Sequence, residues 1–182
     1  MTTETALRTW KIDPSHSSVE FSARHLMITT VKGSFAEFDG TIEFDPTHVA
    51  SGRAQVSIAV ASIGTRSTDR DTHLRSPDFL DAEQHPTISF VSTRVEPSSA
   101  DANAFTLVGD LTIRGVSKEV RLATTFEGQG KDPWGNERVS FLASTTIDRR
   151  DFGLTWNAAL ESGGVLVSNE IKLTLDVQAI GA

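Results

Sequence analysis

The sequence predicts an all-β domain, either a sandwich or a closed barrel. Three observations support this prediction: apolar and polar residues alternate over most of the chain, turn-forming residues separate the alternating segments, and little of the chain has helical spacing. Such alternation is typical of antiparallel strands that bury one face and expose the other. The alternating segments are residues 18–24, 38–44, 54–60, 105–113, 120–126, 139–147 and 171–177, with shorter ones at 10–12 and 88–90.

Turn-forming residues mark the boundaries of these segments. The turns are Asp13-Pro14, Asp45-Pro46, Gly115 before Ser117-Lys118, and the stretch from Gly128 to Gly135 with Pro133 inside it. We interpret the last of these as a loop, and we expect eight to ten strands in total. Because the chain has no internal repeat, low-complexity tract or linker, residues 1–182 are predicted to form one domain with its core at about 9–179.

One stretch, residues 65–84, departs from the alternation. It is charged, and it places Leu74, Phe79 and Leu80 at roughly helical spacing. We predict one or two short helices that cross an end of the sheet structure. Ser76-Pro77-Asp78 suits the start of the second helix, because proline is favoured in a first helical turn.

The composition argues against several classes of function. The chain has 182 residues, with 17 Lys and Arg against 24 Asp and Glu, and its formal net charge is −7. An acidic chain without a basic cluster is poorly suited to bind nucleic acid. The absence of cysteine excludes disulfides, cysteine-ligated metals and thiol nucleophiles. Neither a signal peptide nor an apolar run long enough to span a membrane is evident, so a cytoplasmic protein is expected.

The sequence offers little support for catalysis or for a metal site. It has no nucleophile elbow, Walker loop or zinc-protease motif, so we expect no enzyme. The densest polar cluster contains Asp69, Asp71 and His73. In an extended segment these three side chains would share a face and could bind a metal, whereas in a helix only Asp69 and His73 would be neighbours. We favour the helix, with the cluster as a structural ion-pair and capping network.

An apolar cavity is a second expectation from the pattern. The ten Phe residues are more aromatic rings than a small β-core requires. An eight-stranded barrel can hold one small ligand or can be filled by its own side chains. Gly40 and Gly109 lie in the middle of predicted strands at inward positions, where glycine leaves room for a ligand or permits a sharp bend. The pattern alone leaves a ligand cavity and a filled barrel both open.

Four motifs occur in order along the chain. They are WKIDPSHSSVEF at 10–21 with His25 and VKGSF at 31–35, RDTHLRSPDF at 70–79 with Pro86, Ile88 and Phe90 after it, GDLTIRGVSK at 109–118, and IDRRDFG at 147–153. Together these motifs resemble the YceI-like polyisoprenoid-binding family. The similarity runs from about Trp10 to Val177, nearly the whole chain.

This resemblance implies an extended eight-stranded antiparallel barrel, similar to that of lipocalins, with short capping helices. It further implies a homodimer and a long apolar ligand such as a polyprenyl or quinone chain. Within the family, it implies that this chain belongs to the cytoplasmic subset. The residues expected to contact the apolar tail are Phe21, Phe35, Phe90, Leu111, Ile113, Phe141 and Phe152. Those expected to contact a polar head, such as a quinone carbonyl or a phosphate, are His25, Arg70 and His73. The same motifs also allow buried structural ion pairs, Arg70 with Asp71 and Arg149 with Asp151.

Three functional hypotheses follow. The first is a non-catalytic carrier or sink for an isoprenoid, an isoprenoid quinone or a fatty-acid-like amphiphile, with no cofactor besides that ligand. The second is a metal-dependent or hydrolytic enzyme. Its centre would be Asp69, Asp71, His73 and His25. The third is a stress-related interaction protein whose cavity is empty.

Overall fold

A computed structural model describes residues 7–161 and 163–182, which form one antiparallel sheet closed into a barrel. The strands are β1 (Arg8–Ile12), β2 (Ser18–His25), β3 (Thr29–Phe35), β4 (Phe38–Asp45), β5 (His48–Ala59), β6 (Ile63–Gly64), β7 (Thr87–Pro97), β8 (Ala104–Ile113), β9 (Val116–Lys131), β10 (Glu137–Asp148) and β11 (Glu170–Gly181). The helix α1 covers Thr68–Arg75, and short 3₁₀ turns lie at Pro14–His16, Val60–Ser62 and Arg149–Phe152.

The barrel has eight long strands. Three of them are each formed by two consecutive strands that lie end to end: β1 with β2, β3 with β4, and β5 with β6. β1 and β2 both pair with β11, and their partners β4 and β3 likewise follow one another in the chain. β5 and β6 continue each other in the same way beside β4 and β3. The long strands follow the chain order up and down, and β1 closes the ring against β11 with Trp10 opposite Gly181. The expected eight-stranded antiparallel barrel is therefore confirmed.

The break between β1 and β2 comes from a short capped turn. The Asp13 carboxylate accepts a hydrogen bond from the Ser15 amide at 3.0 Å, and Pro14 supplies a backbone angle suited to the first position of the turn. Ser17 keeps the turn attached to β11, because its hydroxyl donates to the Gln178 carbonyl and accepts from the Gln178 amide. The strand thus bends without leaving the barrel.

The two ends of the barrel differ. The helical end carries the β2–β3 turn, residues 65–86 with α1, the β8–β9 turn, and residues 149–161 and 163–169. The opposite end is closed by an aromatic cluster, in which Phe141 lies 5.1 Å from Phe44 and 5.5 Å from Phe126 between ring centroids. Trp10 is fully buried beside these rings. The cluster consists of Trp10, Phe44, Phe105, Phe126 and Phe141.

Only one of the two helices considered for residues 65–84 forms. Ser67 caps α1 with its side chain on the Arg70 amide, and Ser76 ends α1 instead of starting another helix. The following residues turn back on the end of α1, with the Leu80 amide bonded to the Leu74 carbonyl and the Ala82 amide to the Arg75 carbonyl. These bonds satisfy the exposed carbonyls at the end of α1, and they fold Phe79 and Leu80 into the barrel mouth.

The expected loop from Gly128 to Gly135 is shorter than predicted. β9 continues through Lys131, and the connection to β10 is a turn at residues 132–136. Gly128 has a φ of 139° and lies where the pairing of β9 with β10 shifts register beside Ser140. Gly128 therefore marks a bulge inside a strand and is not part of a loop.

A charged group fastens the capped turn to the β9–β10 turn. Arg138 donates from Nη1 to Asp13 at 2.8 Å and from Nε to Asp132 at 2.8 Å, and all three side chains are largely buried. Hydrogen bonds from Ser15, Arg138 and His16 hold the pKa of the Asp13 carboxyl well below its usual range. Burial acts to raise the pKa of Asp132, but hydrogen bonds from Asn136 and Arg138 outweigh it and lower that pKa as well.

We expect acid to destabilise the barrel through these two carboxylates. Since their pKa values are lower in the folded than in the unfolded chain, their stabilising contribution is present above about pH 4 and is lost as the pH falls further. Arg138→Met should lower the free energy of unfolding at pH 7 and weaken its dependence on pH between 5 and 3, as measured by urea unfolding. Arg24→Met is the control, since it removes an exposed arginine that donates to the Thr30 hydroxyl and pairs with no carboxylate in residues 7–161 and 163–182. An unchanged pH dependence in Arg138→Met would contradict the assignment.

Candidate functional site

The barrel interior contains a cavity of about 260 Å³ between the aromatic cluster and the helical end. Its wall is almost entirely apolar and receives side chains from every long strand. Val19, Ile58, Leu111, Leu122 and Ala143 are representative, each pointing inward from a different strand. The inward half of the alternating pattern thus builds the cavity wall, and a ligand inside it would meet hydrocarbon on nearly all sides.

The cavity volume sets the length of chain that it can enclose. An apolar cavity of about 150 Å³ accommodates one benzene molecule, so by the same proportion roughly ten carbon atoms fill the cavity in this barrel. That is the size of two isoprene units. A longer tail needs the cavity to widen or needs part of the chain to lie outside it.

Most of the residues predicted to contact the tail lie on the cavity wall. The six that line it are Phe21, Phe35, Phe90, Leu111, Ile113 and Phe141. Phe152 does not line it: this ring is 2% exposed and packs in the hydrophobic core beneath the helical end. It lies in the 3₁₀ turn after β10, outside the alternating strand positions that form the wall.

The residues predicted to contact the polar head lie away from the cavity wall. The Arg70 side chain is exposed and donates to the Thr65 hydroxyl at 2.8 Å and to the Thr65 carbonyl at 2.7 Å. His73 lies 2.9 Å from an Asp78 carboxylate oxygen and packs edge-on against Trp156. His25 is at the end of β2, opposite Thr29. The structure therefore does not bring these three side chains together at the cavity.

The metal hypothesis receives no support from the geometry. Asp69, Asp71 and His73 lie on α1, and the Asp71 carboxylate accepts from the amide and hydroxyl of Thr65. Across residues 7–161 and 163–182, no three His, Asp or Glu side chains converge as metal ligands would. Asp71 therefore connects α1 to Thr65, which lies just before the helix.

Gly40 and Gly109 permit close packing and do not leave room for a ligand. A Cβ atom at Gly40 would lie 2.5 Å from the Gln55 carbonyl oxygen and 2.8 Å from Cδ1 of Ile12. At Gly109 a Cβ would lie 2.6 Å from Cζ of Phe90. Neighbouring side chains and backbone already occupy these spaces. The interpretation that these glycines leave room for a ligand is therefore wrong.

Arg149 is a polar residue on the cavity wall that the sequence reasoning did not place there. It is 4% exposed, and its guanidinium donates from Nε to the Ser168 carbonyl at 3.0 Å. Nη1 donates to the Leu154 carbonyl at 2.7 Å and to the Trp156 carbonyl at 2.9 Å. Within the described residues, Nη2 has no hydrogen-bond partner. Burial lowers the pKa of this guanidinium from its ordinary value.

The ion pairs considered for the motif arginines do not form among the described residues. Asp151 is exposed and makes no ion pair with Arg149, and Asp71 makes none with Arg70. Instead Asp148 caps the 3₁₀ turn by accepting from the Arg150 amide, and its carboxylate pairs with the Arg150 side chain at 2.6 Å. The position of Arg149 in the fourth motif was the available signal, but its partners are carbonyls that only the fold brings near.

In the described part of the chain, no helix has the length and hydropathy needed to cross a membrane.

Known proteins resemble this chain in sequence and in fold. The sequence profile of the YceI-like domain matches residues 10–179. A UPF0312 protein of Pectobacterium atrosepticum is 41% identical over 165 residues, which cover 91% of this chain and 81% of that protein. A YCEI protein of Campylobacter jejuni has a similar structure, with a TM-score of 0.74, 32% identity, and coverage of 86% of this chain and 88% of that one.

A polyisoprenoid-binding domain from Saccharophagus degradans shares the fold at much lower sequence identity. Its TM-score is 0.71 at 14% identity, and the similarity covers 97% of this chain and 99% of that one.

Proposed function

The chain belongs to the YceI-like family, and from this membership and the apolar cavity we propose that it binds a long-chain apolar amphiphile inside the barrel and carries or stores it without catalysis. The ligand classes that suit the cavity are polyisoprenoids, isoprenoid quinones and fatty-acid-like chains. The observation that carries the proposal is the cavity inside the barrel with an almost entirely apolar wall. The polyisoprenoid-binding domain from Saccharophagus degradans supports it through a common fold.

The expected affinity follows from burial of the tail. Each buried methylene contributes about 0.8 kcal/mol, so a tail of roughly ten carbons gains about 8 kcal/mol before the costs of ordering and association. These costs remove a large part of the gain, so the wall alone supports modest binding. A homodimer and a cytoplasmic location belong to the proposal too, and light scattering on the purified protein and fractionation of cells that express it test them.

We expect solvent extracts of natively purified protein to contain a prenyl or fatty species in stoichiometric amount, identified by mass spectrometry. Ala143→Phe should reduce that amount severalfold, because Ala143 points into the cavity and a phenyl ring there takes up the space of about six carbons. Leu142→Phe is the matched control. Its side chain is the next one along β10 and is 41% exposed on the outer surface.

The result that contradicts the proposal is a clean extract from wild-type protein combined with no uptake of added ten-carbon amphiphiles. Equal lipid content in Ala143→Phe and Leu142→Phe would place the lipid outside the barrel. In either case the interaction-protein hypothesis would gain weight.

A further inference from the structure

Arg149 places a buried positive charge on the wall of a largely apolar cavity. Arginine stays protonated in proteins, so its charge cannot be removed by losing a proton. Burying such a charge is unfavourable unless hydrogen bonds and a counter-charge compensate it. In residues 7–161 and 163–182, no carboxylate forms an ion pair with this guanidinium.

Arg149 lines the cavity, and its hydrogen bonds are incomplete. A guanidinium has five N–H donors. Nε uses its donor on the Ser168 carbonyl, and Nη1 uses both of its donors on the Leu154 and Trp156 carbonyls. The two donors of Nη2 have no partner among the described residues, although the atom is buried. Three backbone bonds therefore orient the group rigidly and leave one nitrogen free.

The carboxylates close to Arg149 in sequence are engaged or exposed. Asp148 is bonded through both of its oxygens to the Arg150 side chain, and Asp151 lies on the surface. Burial is the largest influence on the pKa of Arg149 and lowers it, while the Asp148 charge raises that pKa and the Arg150 charge lowers it.

Aromatic side chains pack beside the Arg149 guanidinium. The Arg149 guanidinium lies 5.9 Å from the ring centroid of Phe79, and Phe79 packs against Trp156 with 5.3 Å between ring centroids. Phe79 is buried, and Trp156 is half-buried. A hydrogen bond to a charged group is stronger where water is excluded, because the local dielectric constant is low.

From these observations we propose that the ligand carries an anionic oxygen group, a carboxylate or a phosphate, which accepts hydrogen bonds from Nη2 of Arg149 at the helical end. The tail then extends toward the aromatic cluster. This inference rests on the proposed function and refines its ligand class. It places the head at Arg149 and not at His25, Arg70 or His73, which lie away from the cavity wall.

Matched ligands of ten carbons test the head group on the wild-type protein. Decanoate and geranyl phosphate should each bind more tightly than decanol and geraniol, by about tenfold to a hundredfold in Kd at pH 7.5, as measured by calorimetry. The two anions separate a carboxylate from a phosphate. Equal affinity for anions and alcohols overturns the inference and leaves the proposed function intact. Failure of all four ligands to bind overturns the proposed function itself.

Arg149→Met tests the residue. It should abolish the preference for anions while decanol binds as in the wild type, and the retained binding of decanol would show that the barrel is folded. Arg150→Met, which removes the exposed neighbouring arginine, should keep the preference. A preference for anions that survives in Arg149→Met overturns the inference.

A carbon-13 titration decides the question if Arg149→Met does not fold. With decanoate labelled at its carboxyl carbon and bound to the wild-type protein, the pKa of the bound carboxyl should lie below that of free decanoate, because the guanidinium favours the charged form. An apolar site without an accessible cation would raise it instead. A raised pKa therefore overturns the inference without any substitution.

Discussion

Replacing Trp10 by alanine is expected to lower the free energy of unfolding by about 3–5 kcal/mol. Trp10 is fully buried in the aromatic cluster, and its Nε1 donates to the Phe44 carbonyl at 3.4 Å. It also lies at the closure of the barrel, paired with Ile42 of β4 on one side and Gly181 of β11 on the other. Its removal therefore leaves a cavity where the strands must meet. Urea unfolding followed by circular dichroism measures the change.

Trp134→Ala provides the matched control for this prediction. Trp134 is 82% exposed in the turn between β9 and β10, so its removal should change the free energy of unfolding by less than about 0.5 kcal/mol. Comparable losses in the two variants would show that the aromatic cluster does not hold the barrel end closed.

The second large effect is expected from Gly109→Ala, with a loss of about 1–3 kcal/mol or more in the free energy of unfolding. A Cβ atom there would lie 2.5 Å from the Val91 carbonyl oxygen, 2.6 Å from Cζ of Phe90 and 2.7 Å from Cα of Ser92. Two of these atoms belong to the backbone of β7, so a rotamer change cannot relieve the contact. β7 has to move, and Phe90 on the cavity wall moves with it.

Gly130→Ala is the control for Gly109→Ala. Gly130 lies in β9 with no atom within 4 Å of the position that its Cβ would take. Alanine there should be neutral or slightly stabilising, because it restricts the unfolded chain. Thermal unfolding of the two variants side by side measures both effects. If Gly109→Ala were as stable as Gly130→Ala, the close approach of β7 and β8 would be wrong.

The strands and their inward faces were predictable because burial imposes period two directly on the sequence. The same alternation explains why six of the seven predicted tail residues line the cavity. The breaks at 13–17, 36–37 and 60–62 were less visible, because a strand that bends between partners keeps its alternation on both sides. The prediction that a second helix starts at Ser76-Pro77-Asp78 was wrong for a different reason. The carbonyls at the end of α1 accept hydrogen bonds from the amides that follow, so the chain turns back there, although these residues also suit a helix start.

The polar part of the site was not predictable from spacing. Arg149 is held by carbonyls of residues 154, 156 and 168, and a sequence does not show which carbonyls a long loop will present. Arg70 and His73 lie in a conspicuous charged run, but their partners are Thr65 and Asp78 near the same helix. Arg70 and His73 on α1 bond to residues near the helix, whereas Arg149, which follows β10, is buried in the interior.

The pairing of β1 with β11 also bears on how the chain reaches its folded state. Trp10 and Gly181 meet across almost the whole length of the sequence, and contacts so distant along the chain form slowly because a large loop must close first. Until that pairing forms, each of these strands presents unpaired backbone groups, which are sites for association with other chains. The resistance of this protein to aggregation during folding is therefore expected to depend on its slowest contact, the seam at which three residues of β1 and five of β2 pair with β11.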